Sequence, residues 1–162
     1  MATLTQPPTR VLVRAMSRTF CTPKGGELII NAPKIIAEVR QRFEDYEHAL
    51  EVNDVAALDA AFWRSPLTVR LARSEHGYGW DQIHAHRLAR PAGFNSKERR
   101  LKTTITSFGE DNAYVNLVYK IRGQDRVGRQ TQHWARIPGE GWKVTNAHVS
   151  LYEGPLTDVA DE

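Results

Sequence analysis

The chain has 162 residues, enough for one domain with a substantial core, and its 41% hydrophobic and 25% charged residues are ordinary globular values. No apolar run is long enough to span a membrane. The net charge of +3 owes much to Arg10, Arg14, Arg18 and Lys24, which precede the first acid, Glu27; the remainder is near neutral, which argues against a nucleic-acid partner.

Residues 1–30 read as an extension punctuated by Gln6-Pro7-Pro8 and Pro23-Lys24-Gly25-Gly26. Its arginines, hydroxyl residues and lack of acids have the composition of an organellar targeting segment. A disordered tail, or true initiation at Met16, is the plainer reading because the amphipathic span is short. The single cysteine, Cys21, allows neither an intrachain disulfide nor a cysteine-based metal site. That usage suits a reducing compartment, and a cytoplasmic location is expected, with targeting as the alternative.

The folded part is expected over residues 31–152, followed by a tail at 153–162. Asn31 is a candidate N-cap ahead of Pro33, and Ile36, Val39, Phe43, Tyr46 and Leu50 then fall at helical spacing. This first helix should end near Val52-Asn53. Asp54 can cap a shorter helix carrying Val55, Leu58, Ala61 and Phe62 inward, which Pro66 terminates. Leu67–Ala72 reads as a strand, Gly77-Tyr78-Gly79 as a turn, and Trp80–Ala89 as a third helix that ends at Pro91 and Gly93. Four long strands follow, Leu101–Phe108, Ala113–Ile121, Gly128–Ile137 and Trp142–Leu151, joined as hairpins. Helices gathered on one face of a curved, mostly antiparallel sheet make an α+β cone with a pocket between the layers.

Within this plan Tyr46 and Arg70 stand out, a phenol on a buried helical stripe and a guanidinium in a β-branched strand. Tyr46 reads either as a core tyrosine bonded to a neighbouring strand or as a group that exchanges a proton with a bound carbonyl or carboxylate. Arg70 reads as a solvated position, as a structural ion pair with Asp81 or Glu98, or as an inward cation that calls for a carboxylate. His84, Arg87 and Arg90 lie one turn apart along the third helix, and Arg87 is the candidate second cation, against its reading as a surface arginine. The candidate substrate contacts on the late strands are Gln130 and Gln132, which share one face, and His148 and Ser150, which share another. Periodicity does not say which faces meet the pocket. His84 and His86 make a poor metal pair, and neither HExxH nor a carboxylate cluster with ligand spacing occurs, so no metal is expected.

The element order and the ending WKVTNAHVS resemble the nuclear-transport-factor-2-like (NTF2-like), SnoaL-type superfamily, a likeness that places His148 and Ser150 inward. AEVRQRFEDYEHAL, NDVAALDAAFW, PLTVR, HRLARP, VGRQTQHWARIPGEGW and AHVSL, in matching order over about residues 31–152, are similar to the AtzH-like family, small proteins linked to cyanuric acid and oxalurate catabolism. The resemblance implies a hydrolase that converts a carboxylated urea, 1,3-dicarboxyurea, to allophanate. It implies gene-level association with an amidase and catalysis by Tyr46 and Arg70; separately, no cofactor is expected. Superfamily analogy implies a homodimer through the outer sheet face. Two other readings stand beside this one. A proton-transfer isomerase or cyclase would want a carboxylate base, and between Asp81 and Asp125 the only acids are Glu98, Glu110 and Asp111. A non-catalytic binding module or amidase accessory is the other.

Overall fold

The computed structural model describes residues 28–91 and 97–154. Gly93 and most of the N-terminal extension, including Cys21, lie outside the described residues.

Helix α1 spans Pro33–Val52, with Ile35, Val39, Phe43, Tyr46 and Ala49 buried. The stripe therefore starts one residue earlier than the periodicity predicts, and Ile36 and Leu50 flank it half-buried. Asn31 does not cap this helix: Ala32 is the N-cap residue, without a side-chain bond. Asn31 instead takes a positive φ of 58° and turns toward the sheet, where its Oδ1 accepts from the Ser107 amide at 3.0 Å. The helix closes on Asn53 in the left-handed conformation. Asp54 then caps α2 (Val55–Ala61), accepting from the Ala57 amide at 3.0 Å as its position predicts.

Strand β1 is short, Val69–Leu71, and pairs antiparallel with β2, His76–Tyr78. Here the predicted turn is a strand. Only Gly79, φ 89°, breaks the chain, at the start of α3 (Trp80–Leu88). Gly77 is there for contact rather than for turning, since a Cβ would stand 2.7 Å from Ile83 Cγ1 of the packed helix. The four long strands are β3 (Lys97–Phe108), β4 (Asn112–Ile121), β5 (Val127–Ile137) and β6 (Gly141–Tyr152), antiparallel in succession.

The sheet runs β2-β1-β6-β5-β4-β3, with β1 joined parallel to β6. Three helices on one face of this curled mixed sheet give the expected α+β cone. Val39, Phe43, Leu58, Phe62, Ile83, Leu117 and Trp134 form the core between the layers. Side chains of this size each contribute about 1.5–3 kcal/mol when fully buried.

β6 departs from simple alternation. Trp134 pairs with Val144 but His133 pairs with Asn146, so Thr145 is an extra residue in the strand. Before it, Trp142 and Val144 face the core; after it, Ala147 does, and Val149 and Leu151 line the cavity. This bulge decides which late-strand residues look inward.

Candidate functional site

At the open end of the cone, α1, the β1–β2 hairpin, the end of α3 and strands β3 to β6 enclose a cavity of about 1120 Å³. Tyr46 and Arg70 both line it. Tyr46 projects from the fourth turn of α1, 5% exposed, its ring 5.9 Å from that of Phe62. Arg70 is fixed by the parallel pairing of β1, where its register partner is Ala147, whose methyl leaves room for a guanidinium. Burial pulls Arg70 down to about 10, which still leaves it charged at neutral pH; the phenol oxygen of Tyr46 opposes that shift, and Arg90 and Arg87 add to it. Burial likewise lowers Arg90, with Tyr46 again opposing. One phenol thus lies within electrostatic reach of two guanidinium groups.

The carboxylate that answers Arg70 is Glu75, from the connection between β1 and β2, rather than Asp81 or Glu98. Glu75 Oε1 contacts Arg70 Nη1 and lies 3.6 Å from Arg90 Nη2, while its Oε2 lies 3.6 Å from His86 Nδ1. Across the cavity Lys97 Nζ donates to both oxygens of Glu47 at 2.6 Å and sits 5.4 Å from the centre of the Tyr119 ring. Burial lowers the Lys97 pKa and Glu47 opposes the shift. Gln130 Nε2 reaches the same carboxylate at 3.4 Å.

Of the predicted substrate contacts, Gln130 and Ser150 line the cavity with Tyr46 and Arg70, whereas Arg87, Gln132 and His148 do not. Arg87 is 3% exposed, bonded to Asp59 Oδ1 at 2.6 Å and stacked on Phe62 with 4.3 Å from guanidinium to ring centre. With His84, whose Nδ1 is 2.5 Å from the other Asp59 oxygen, it ties α3 to α2. The second cavity arginine is Arg90, which lies beyond the end of α3, where helical spacing no longer applies. Gln132 is wholly buried deeper in the sheet and accepts from Trp134 Nε1 at 3.1 Å. His148 is exposed on the outer face because the bulge at Thr145 reverses the strand's alternation.

Glu75, Lys97 and Tyr119 are site residues that sequence reasoning missed, and Arg90 is one it named but ranked behind Arg87. Tyr119 sits on the buried face of β4, which alternates without interruption, so its inward aim was available from the pattern. Glu75 carried no such signal, standing in an Arg73-Ser74 turn without glycine or proline. Among the described residues no group of three or more His, Cys, Asp or Glu is placed to hold a metal ion. No helix among them is long and apolar enough to cross a membrane.

Chemically the cavity offers a carboxylate-binding pair of guanidinium groups, a phenol in the same lining, and the side-chain amide of Gln130. The AtzH-like family model matches residues 28–155. The chain is similar to a protein of unknown function from the DUF3225 family of Pectobacterium atrosepticum SCRI1043, at 40% identity over 76% of this chain and 95% of that one, with a TM-score of 0.73. It is also similar to a cystatin-like fold protein from Burkholderia xenovorans LB400, at 39% identity over 79% and 99% of the two chains, TM-score 0.74. An NTF2-like superfamily protein from Salmonella enterica serovar Typhimurium LT2 shares 21% identity over 78% and 97% of the chains, TM-score 0.60, a likeness of fold alone. No curated protein matches the chain.

Proposed function

The chain belongs to the AtzH-like family, and from that premise we propose that it hydrolyses a small carboxylated urea such as 1,3-dicarboxyurea to allophanate. The observation that carries this reading is the grouping of Tyr46, Arg70 and Arg90 around one cavity. Guanidinium groups hold a carboxylate in a fixed orientation, and fixed orientation is a large part of catalysis in a site with no activated nucleophile. In this reaction the bond between a terminal carboxylate carbon and the urea nitrogen breaks. Water adds to that carbon to give bicarbonate, and the nitrogen leaves with a proton. Tyr46 is the group beside the arginines able to supply the proton, and the arginines offset charge that develops on the carboxylate. Loss of carbon dioxide followed by protonation of nitrogen gives the same allophanate and uses the same proton donor.

The test is incubation with freshly prepared carboxylated ureas, biuret and oxalurate, following ammonia, inorganic carbon and allophanate. Acceleration of allophanate and inorganic carbon release is expected for the carboxylated urea. A rate no faster than the spontaneous one, at every substrate, removes the hydrolase reading.

One observation favours a second reading. Glu75 brings a carboxylate into the cavity wall, which the spacing of acids in the sequence does not suggest, and a carboxylate base suits a proton-transfer isomerase. Its carboxylate is already engaged by Arg70, so this reading stands second. Exchange of α-protons of small ketones into deuterated solvent would favour it. The reading adopted here extends to a homodimer through the outer sheet face and to an amidase partner; light scattering and co-purification test these respectively.

A further inference from the structure

The carboxylates of the cone's interior are distributed unevenly among its buried cations. Lys97 has Glu47 to itself with both oxygens at 2.6 Å, and Arg87 has Asp59 at 2.6 Å. Arg70 and Arg90 share Glu75. The chain places that carboxylate deliberately: the Ala72 amide donates to the Glu75 carbonyl at 2.9 Å, closing the β1–β2 connection, and the side chain turns inward to 16% exposure beside the arginines. Buried guanidinium groups that await an anion are costly, so the fold supplies one from within.

We propose that Glu75 is the specificity-determining residue of this cavity, a resident carboxylate that occupies the anion position of Arg70 and Arg90 and that a ligand carboxylate must displace or share. Glu75 offsets part of the positive charge of the two guanidinium groups, and Arg73, from the same β1–β2 connection, also lines this end of the cavity. The Glu47–Lys97 pair at the other wall is neutral in sum. At the arginines a ligand carboxylate meets Glu75 as a neighbouring anion, so this end favours one ligand carboxylate over two. A ligand of the favoured class presents one carboxylate to the arginines and uncharged hydrogen-bonding atoms, such as an amide or urea, to its near neighbours. A second carboxylate must lie away from Glu75, toward the Gln130 side of the cavity. The inference rests on the functional reading above only in taking this cavity as the ligand site.

The test uses malonate and acetate as probes, titrated calorimetrically at fixed ionic strength into the wild-type protein and into Glu75→Gln, Arg90→Gln and the double variant. Removing the resident charge is expected to tighten malonate binding at least about tenfold, and acetate binding by less. The gain should vanish in the double variant, which has one fork fewer. Unchanged or weaker malonate binding in a folded Glu75→Gln protein overturns the proposal, because Glu75 then holds the arginines in place rather than competing with ligand. A gain that survives loss of Arg90 overturns it as well. Should Glu75→Gln not fold, Glu75→Asp retracts the carboxylate by one methylene and is expected to tighten malonate by a smaller factor; no tightening is again a failure. Malonate has no bond to hydrolyse, so this outcome is separate from turnover. Absence of catalysis with tightened malonate binding removes the hydrolase reading and leaves the role of Glu75 standing.

Discussion

The ring of Tyr119 lies over Gly128, its register partner across the β4–β5 pair, so closely that a Cβ at position 128 would overlap the phenol. This glycine is a space requirement of the cavity wall rather than a turn. Gly128→Ala is expected to push the Tyr119 ring off the strand, costing about 1–3 kcal/mol in urea denaturation and weakening carboxylate binding. Combining it with Tyr119→Leu should restore most of the stability. If Gly128→Ala is neutral in both measurements, the ring is not held where the structure puts it.

Tyr46 and Arg70 predict separable kinetic effects. Tyr46→Phe keeps the buried ring and removes only the hydroxyl, so kcat should fall by roughly 10²–10⁴-fold with little change in KM. Arg70→Lys keeps a charge to answer Glu75 but loses the planar fork, so KM should rise along with the fall in kcat. Arg70→Ala is the less informative change, since it leaves Glu75 buried without its closest cation. Steady-state kinetics on the carboxylated urea, with thermal unfolding as the fold check, decide both. Wild-type turnover in Tyr46→Phe sinks the assignment of the phenol.

Much of the fold was legible because the periodic segments are long and carry clear stops. The Asn53-Asp54 break and the alternation of β4 are written in residues whose conformational preferences are local. What was not legible depends on contacts between segments distant in sequence. The parallel docking of β1 on β6 orients Arg70, and nothing within the strand specifies it. The bulge at Thr145 turns His148 outward, and a one-residue insertion is invisible to a period-two pattern. Gly77 resembles a turn residue until α3 is seen pressed against it. Arg87 and Arg90 are equivalent by helical spacing, and only the position of Asp59 on α2 separates the clamp from the cavity cation.

That clamp gives a stability prediction independent of the cavity chemistry. Asp59 receives Arg87 on one oxygen and His84 on the other, and its carbonyl accepts from Trp80 Nε1 at 3.3 Å. Asp59→Ala leaves the Arg87 guanidinium buried and unanswered by its carboxylate, which should cost about 3–5 kcal/mol. Arg87→Met should cost less, because it replaces the stem over Phe62 with another apolar one and leaves Asp59 with His84. Denaturant midpoints of the two variants, with unchanged slopes, are the measurement. Equal losses would mean that the contact with Phe62, not the charge pair, holds α3 to α2.

Acid stability should report a different carboxylate, Glu38 on α1. Arg136 Nη2 donates to its Oε2 at 2.6 Å and Trp142 Nε1 to the same oxygen at 3.1 Å, which ties the first helix to β5 and β6. The Arg136 bond, then the Trp142 bond, holds the Glu38 carboxyl below its usual 4.5. A carboxyl lowered on folding binds its proton more weakly in the native state than in the unfolded chain. Its contribution is therefore fully present above the unfolded value of about 4.5 and is lost as pH falls through the lower folded value. Glu38→Gln should be less stable than wild type at pH 7, and the two should converge as the pH drops well below 4. Denaturation midpoints measured from pH 7 to pH 3 test this. A constant gap across that range would show that the variant loses packing or hydrogen bonding rather than a titrating charge.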